Sequence, residues 1–205
     1  TWVNEGFSEL ATLLNGYDAG GFDYLYVSEP DLQLNTWPSD DTTPHYGASY
    51  LFMSYFLSRF GDEATQALVA DPANGMESVD GVLKTLGITD EAGDPLSADE
   101  VFADWTVANY LYDGQYPSDR FTYSVYPDAP KVSPTESFAE CPVSTQSRDV
   151  NQYGADYIQL TCAGEYTLTF EGATSVSLLP ERAYSGNYAF WSNQGDESDM
   201  TLTRE

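Results

Sequence analysis

A chain of 205 residues with 41% hydrophobic content is long enough for one medium domain, or a small domain plus part of another, and too apolar for wholesale disorder. Its 33 acidic residues against 7 basic ones give a formal charge of −26, which argues against nucleic acid and anionic membranes as partners, because phosphate binding needs Lys/Arg clusters. No apolar run reaches the roughly 18 residues of a membrane span; the longest candidate, 48–60, is interrupted by Ser49, Ser54, Ser58 and Arg59.

Residues 1–115 carry helical signals. Val3, Phe7, Leu10 and Leu14 recur at helical spacing, and Gly16 supplies a stop. A Gly/Asp/Tyr-rich connection follows, from Tyr17 to Asp41. Thr43 suits an N-cap and Pro44 the first helical position. The run from Pro44 to Phe60 is apolar nearly all round, which predicts a buried central helix ended by Gly61. Asp62-Glu63-Ala64-Thr65 opens a short helix toward Asp71, and Met76 to Leu86 forms another, closed by Gly87. Thr89 to Leu96 is an acidic loop. Ser97-Ala98-Asp99-Glu100 predicts a capping box, followed by a Val101/Trp105/Ala108/Tyr112 stripe.

Composition then changes. Residues 116–135 are rich in Pro and Tyr and read as an ordered linker. Residues 136–205 alternate as strands do: Tyr157 to Cys162, Tyr166 to Phe170, Val176 to Leu179, Tyr188 to Trp191 and Met200 to Thr203. Ala163-Gly164-Glu165 predicts a tight hairpin joining the first two. Cys141 and Cys162 lack the short spacing of a zinc or redox pair, and in an extracellular chain they would form one disulfide. Both ends read as cut: Thr1-Trp2-Val3-Asn4-Glu5 is already the first turn of a helix, and Met200 to Glu205 alternates like a strand with nothing after it.

The residues that bear on chemistry begin at Trp2-Val3-Asn4-Glu5-Gly6-Phe7-Ser8-Glu9. Glu5 and Glu9 are four apart, so both carboxylates share one helix face, nearly opposite the Val3/Phe7/Leu10/Leu14 stripe. Two like charges at this spacing repel, and spacing alone fits a solvated acidic face. The residue order says more. It resembles the third-ligand helix of gluzincin zinc peptidases of the MA clan, in which Trp-x-Asn-Glu-Gly-[Phe/Leu] follows a His-Glu-x-x-His helix. Asn15-Gly16-Tyr17-Asp18, His45 to Phe52, the strands around Gly154 to Phe170 and Ala189 to Asp196 look similar to secreted bacterial peptidases of the immune inhibitor A-like group.

That resemblance implies Glu5 as a zinc ligand and Glu9 as the carboxylate that fixes a histidine ligand's tautomer. It also implies an oxyanion donor from a following helix, where His45 and Tyr46 stand in the first turn and either could serve. The chain departs from the pattern in having a single histidine and no His-Glu-x-x-His. A catalytic zinc needs three protein ligands and a water, so two ligands and the general base would come from a segment upstream of Thr1. Acidic groups at Asp90/Glu91/Asp94 and Asp196/Glu197/Asp199 offer oxygen ligands for Ca²⁺, though neither follows the EF-hand pattern and both also suit polar turns.

The expectation is therefore an α+β chain. Residues 1–115 would be the helical C-terminal half of a gluzincin catalytic domain, 116–135 a linker, and 136–205 a β module opening a β-sandwich or jelly-roll region, truncated at its end. The implied function is that of a fragment of a secreted Zn²⁺-dependent endopeptidase, inactive without the upstream part of its own polypeptide and acting on protein or peptide substrates. The alternative is a non-catalytic extracellular module binding protein or glycan.

Overall fold

The computed structural model describes residues 1–18, 20–90, 92–112, 120–144 and 146–162 in full, and 119, 167–172, 176–178, 187–192 and 196–203 by their backbone. The architecture is α+β, with five α-helices preceding seven strands: α1 Trp2–Leu14, α2 Phe22–Ser28, α3 Thr43–Ala70, α4 Met76–Leu86, α5 Ala98–Leu111, then β1 Glu136–Phe138, β2 Gln146–Val150, β3 Gly154–Leu160, β4 Thr167–Gly172, β5 Val176–Leu178, β6 Asn187–Ser192 and β7 Asp196–Thr203. It divides into two compact units, residues 1–28 with 34–131 and residues 29–33 with 132–205.

Local chemistry explains most helix boundaries. The Thr1 side chain accepts from the Asn4 N–H at the start of α1. Both halves of the capping box are present at α5, between Ser97 and Glu100. Gly87 closes α4 in the left-handed conformation. In α3 the cap position is Thr42, one residue before the expected Thr43, and Thr42 makes no side-chain cap bond. Gly61, with φ 75°, breaks the helical backbone inside α3, so the expected stop is a kink from which a further helical stretch runs to Ala70.

The connection expected from Tyr17 to Asp41 contains α2, whose Tyr26 and Val27 are buried. Seven residues give under two turns of pattern, too little for periodicity to show. The helix exists because it packs on α3. Gly47 permits this: a Cβ there would collide with the Phe22 carbonyl oxygen.

The central part of α3 is buried almost all round, as its pattern predicts, from Pro44 through Ser58 with only Tyr46 half-buried. Phe52 meets Trp2 and Trp105 edge-on at 5.4 Å each, and Tyr26 stacks on Trp105 at 5.4 Å. Beneath this aromatic core lies a charged centre that composition did not reveal. Asp104, 2% exposed, faces Arg59 at 2.6 Å and Arg120 at 2.8 Å. The Arg120 carbonyl accepts from the Tyr55 hydroxyl at 2.6 Å, and Arg59 donates to the Tyr55 oxygen at 2.9 Å. The Pro/Tyr-rich stretch contributes to the helical unit itself: Phe121, Tyr123 and Ala129 are buried, and the Tyr123 hydroxyl accepts from the Trp105 indole at 2.8 Å and donates to Asn109. Among the described residues no helix is long and apolar enough to cross a membrane.

In the other unit the strands form two sheets, ordered β1-β3-β6-β5 and β2-β7-β4. This corrects the expected hairpin. β3 pairs in parallel with β1 and antiparallel with β6, while β4 pairs with β7 in the other sheet. β3 has buried residues on both of its faces, as a central strand does, and alternation in sequence does not say which strand lies beside it. The turn residues 163–165 lie outside the described residues. β2 was not expected: Gln146-Ser147-Arg148-Asp149-Val150 is polar and lacks the β-branched and aromatic enrichment that marks a strand.

Cys141 and Cys162 stand 6.0 Å apart at Cα, 21 residues apart in sequence, within the span of a disulfide. They pack against Val143, Ile158 and Leu160. Alkylation and mass spectrometry of the unreduced protein should find neither thiol free, and reduction should remove about 3 kcal/mol of stability in the chain-entropy model. Two alkylated cysteines without reductant would exclude the bridge.

Segment 29–33 docks on the start of β3. The Asp31 carboxylate accepts from the Asn151 N–H at 2.8 Å, the Asn151 amide donates to the Asp31 carbonyl at 2.7 Å, and Ala155 N–H donates to the Pro30 carbonyl at 3.1 Å. Gly154 leaves room for this, since a Cβ there would meet the Asp31 carboxylate and backbone. Burial raises the Asp31 carboxyl from an ordinary 3.8 to about 6, with the Asn151 N–H opposing and the charges of Asp156 and Asp149 adding. The folded state therefore holds this proton more tightly than the unfolded chain does. Stability from this group is greatest below its unfolded pKa, declines as pH rises through the interval up to about 6, and bears the full cost of the buried charge above it. Asp156, raised chiefly by burial, acts in the same direction. Asp31→Asn should thus gain more stability at about pH 7.5 than at about pH 5, measured by thermal unfolding. An equal gain or loss at both pH values would contradict this.

Candidate functional site

The site is built where α1 crosses α3. Gly6 sets how closely the two approach, because a Cβ there would lie 2.6 Å from the Ser49 carbonyl oxygen. With Gly6 inward, α1 buries Trp2, Val3, Gly6 and Leu10, while Phe7 is half-buried and Leu14 is 61% exposed. The buried face is thus rolled from the expected Val3/Phe7/Leu10/Leu14 stripe, because Trp2 needs burial and Gly6 admits the neighbouring backbone. The roll brings Glu5 and Glu9 to the edge of the contact, where both are half-buried rather than on a fully solvated face.

Across from them stands the first turn of α3. Burial, then the charge and hydrogen-bonding pull of the Glu5 carboxylate and the charge of Glu9, raise the Tyr46 phenol above its ordinary value. Tyr46 therefore remains a protonated donor through neutral pH. Burial, then the charge of Glu5, raises the Glu9 carboxyl. His45, the other candidate, is 7% exposed, with its ring 6.2 Å from the Trp37 indole. Three of the four residues singled out in the sequence, Glu5, Glu9 and Tyr46, are thus brought together, and His45 lies buried beside them.

Behind Tyr46, one helical turn on, is Tyr50. Its ring lies 5.3 Å from that of Tyr126. The Tyr126 hydroxyl donates to Asp23 Oδ2 at 2.7 Å. Asp23 is 2% exposed, and its other oxygen accepts from the Tyr24 N–H at 3.0 Å. The phenols of Tyr50 and Tyr126 are both pushed up, chiefly by burial, with Asp23 adding. Sequence reasoning missed this chain. The spacing of Tyr46 and Tyr50, matching that of Glu5 and Glu9, is the one signal that could have found it.

The acidic groups considered for Ca²⁺ are placed differently. Asp90 Oδ1 accepts from the N–H groups of Ala92 at 2.9 Å and Asp94 at 2.8 Å, so this carboxylate is engaged in forming its own turn. Glu91 lies outside the described residues. Asp196, Glu197 and Asp199 lie on β7, in register with Val150, Asp149 and Ser147 of β2, and only their backbone is described.

Among the described residues, no group of three His, Cys, Asp or Glu side chains could hold a metal ion. Glu5 and Glu9 fit a metal centre as one ligand and its supporting carboxylate, not as a complete coordination sphere. Comparison of the chain with protein-family models, characterised proteins and solved structures finds no match.

Proposed function

We propose that α1 and α3 form the glutamate side of the zinc centre of a secreted endopeptidase, with the remaining ligands and the general base supplied by residues outside this sequence. The observation that carries this reading is the packing of α1 on α3 at Gly6, which half-buries Glu5 and Glu9 at the edge of the contact and sets the Tyr46 phenol within their electrostatic reach. A ligand, its supporting carboxylate and an acid able to donate to a developing oxyanion are the parts the residue order implies, and they come from two helices locked together at Gly6.

In this reading Glu5 would hold the metal. Glu9 would accept from the second ring N–H of a histidine ligand, fixing its tautomer. Tyr46 would donate to the oxygen of the peptide carbonyl under attack. When bound, zinc supplies Lewis acidity toward that carbonyl and toward water. His45 would shape the first turn of α3 rather than act on substrate. The acidic, Lys-poor composition and the cysteine pair are what support secretion in this proposal.

The test is a longer protein that includes the natural segment upstream of Thr1. Dialysed against buffer with trace zinc, it should retain about one zinc per chain and cleave peptides, as the three-ligand rule requires. A protein that binds no zinc and leaves casein intact would overturn the proposal.

A further inference from the structure

The Tyr46 ring has two aromatic neighbours, Trp37 edge-on at 4.9 Å and 83°, and Phe22 tilted at 5.7 Å. The Phe22 backbone approaches α3 at Gly47, the residue after Tyr46, where a Cβ would collide with the Phe22 carbonyl oxygen. Trp37 comes from the loop between α2 and α3, is half-buried, and also stands edge-on to His45. Its aromatic partners are therefore the two first-turn residues of α3, while the tryptophans that build the core, Trp2 and Trp105, are almost wholly buried.

We propose that Trp37 is a positioning residue for Tyr46: together with Phe22, its indole restricts the phenol to one orientation at the edge where α1 meets α3. The confinement is a property of this chain. Its bearing on turnover rests on the peptidase reading given above. Without the indole one side of the phenol opens, and the hydroxyl samples positions away from the reacting carbonyl. A misplacement of about 1 Å in such a donor costs on the order of 100-fold in rate.

The test uses the full chain carrying 3-fluorotyrosine, with the Tyr46 ¹⁹F signal assigned by its loss in Tyr46→Phe. Trp37→Ala should move that signal toward the free-tyrosine position, and Trp37→Phe should restore most of the original shift. In the unsubstituted protein, nuclear Overhauser contacts should link the Trp37 indole to the Tyr46 ring. A Tyr46 signal unmoved in a folded Trp37→Ala protein overturns the proposal. Should that variant not fold, the absence of indole–phenol contacts in the unsubstituted protein overturns it, and their presence together with a shift in Trp37→Phe smaller than in Trp37→Leu supports it. In the longer, zinc-loaded protein, Trp37→Ala should lower kcat by about 10- to 100-fold with KM and zinc content little changed, as loss of orientation predicts. Movement of the ¹⁹F signal in a parent that hydrolyses nothing would uphold the positioning and reject the peptidase reading. A moved signal with unchanged kcat in an active parent would reject the catalytic bearing of Trp37.

Discussion

Asp104→Ala is expected to destabilise the helical unit by about 3–5 kcal/mol, the range for removing one partner of a buried ion pair. Asp104 is 2% exposed and faces two guanidinium groups, Arg59 at 2.6 Å and Arg120 at 2.8 Å. Arg59 is 12% exposed and Arg120 24%, so both guanidinium side chains are largely withdrawn from water. Arg59 lies near the rings of Tyr55 and Phe60, and Arg120 near that of Phe121. Alanine would leave two cations facing each other with no counter-charge, in surroundings that strengthen their repulsion. Arg120→Met removes the more exposed of the two and should cost clearly less, since Arg59 still pairs with Asp104. Urea unfolding monitored by tryptophan fluorescence measures both. A loss below about 1 kcal/mol for Asp104→Ala, the size of a surface pair, would show that water already screens this centre.

That centre also shows why parts of the fold escape a reading of sequence. Helix ends are local: Ser97 with Glu100, Gly87 after Leu86 and Gly61 after Phe60 act within a few residues of the boundary they set. Asp104, by contrast, is one acidic residue among 33, and only folding singles it out for burial between two arginines. β3 carries a legible alternation, but its neighbours β1 and β6 are chosen by long-range packing. The candidate site divides in the same way. Glu5 and Glu9 stand out through residue order, and Tyr46 through its place in a first turn after Pro44. Tyr126 meets Asp23 across 103 residues, and Asn151 meets Asp31 across 120, separations at which spacing carries no information. Even Gly6 and Gly47, whose missing side chains set the helix contacts around the site, look in sequence like ordinary interruptions of a helical pattern.

On the proposed reading, Glu5→Ala in a protein that includes residues upstream of Thr1 should abolish both zinc retention and peptide hydrolysis, because Glu5 would be one of the three ligands needed. Glu5→Gln keeps the size and polarity of the side chain but ligates zinc poorly, so zinc should be lost as in Glu5→Ala. Glu9→Ala should lower metal affinity or activity by about 10- to 100-fold, as removal of an outer-sphere carboxylate does. Tyr46→Phe should keep zinc and lose about 10²–10³ in kcat, the range for a single oxyanion donor. His45→Ala should keep zinc and most turnover, since its ring is buried beside Trp37. Zinc stoichiometry and steady-state hydrolysis on these five variants decide among roles. Equal loss of kcat in His45→Ala and Tyr46→Phe would mean that the first turn of α3 acts as a unit and that neither side chain alone is the donor. Full zinc and full activity in Glu5→Ala would reject the site, because every role assigned to Glu9 and Tyr46 is defined by where Glu5 places the metal.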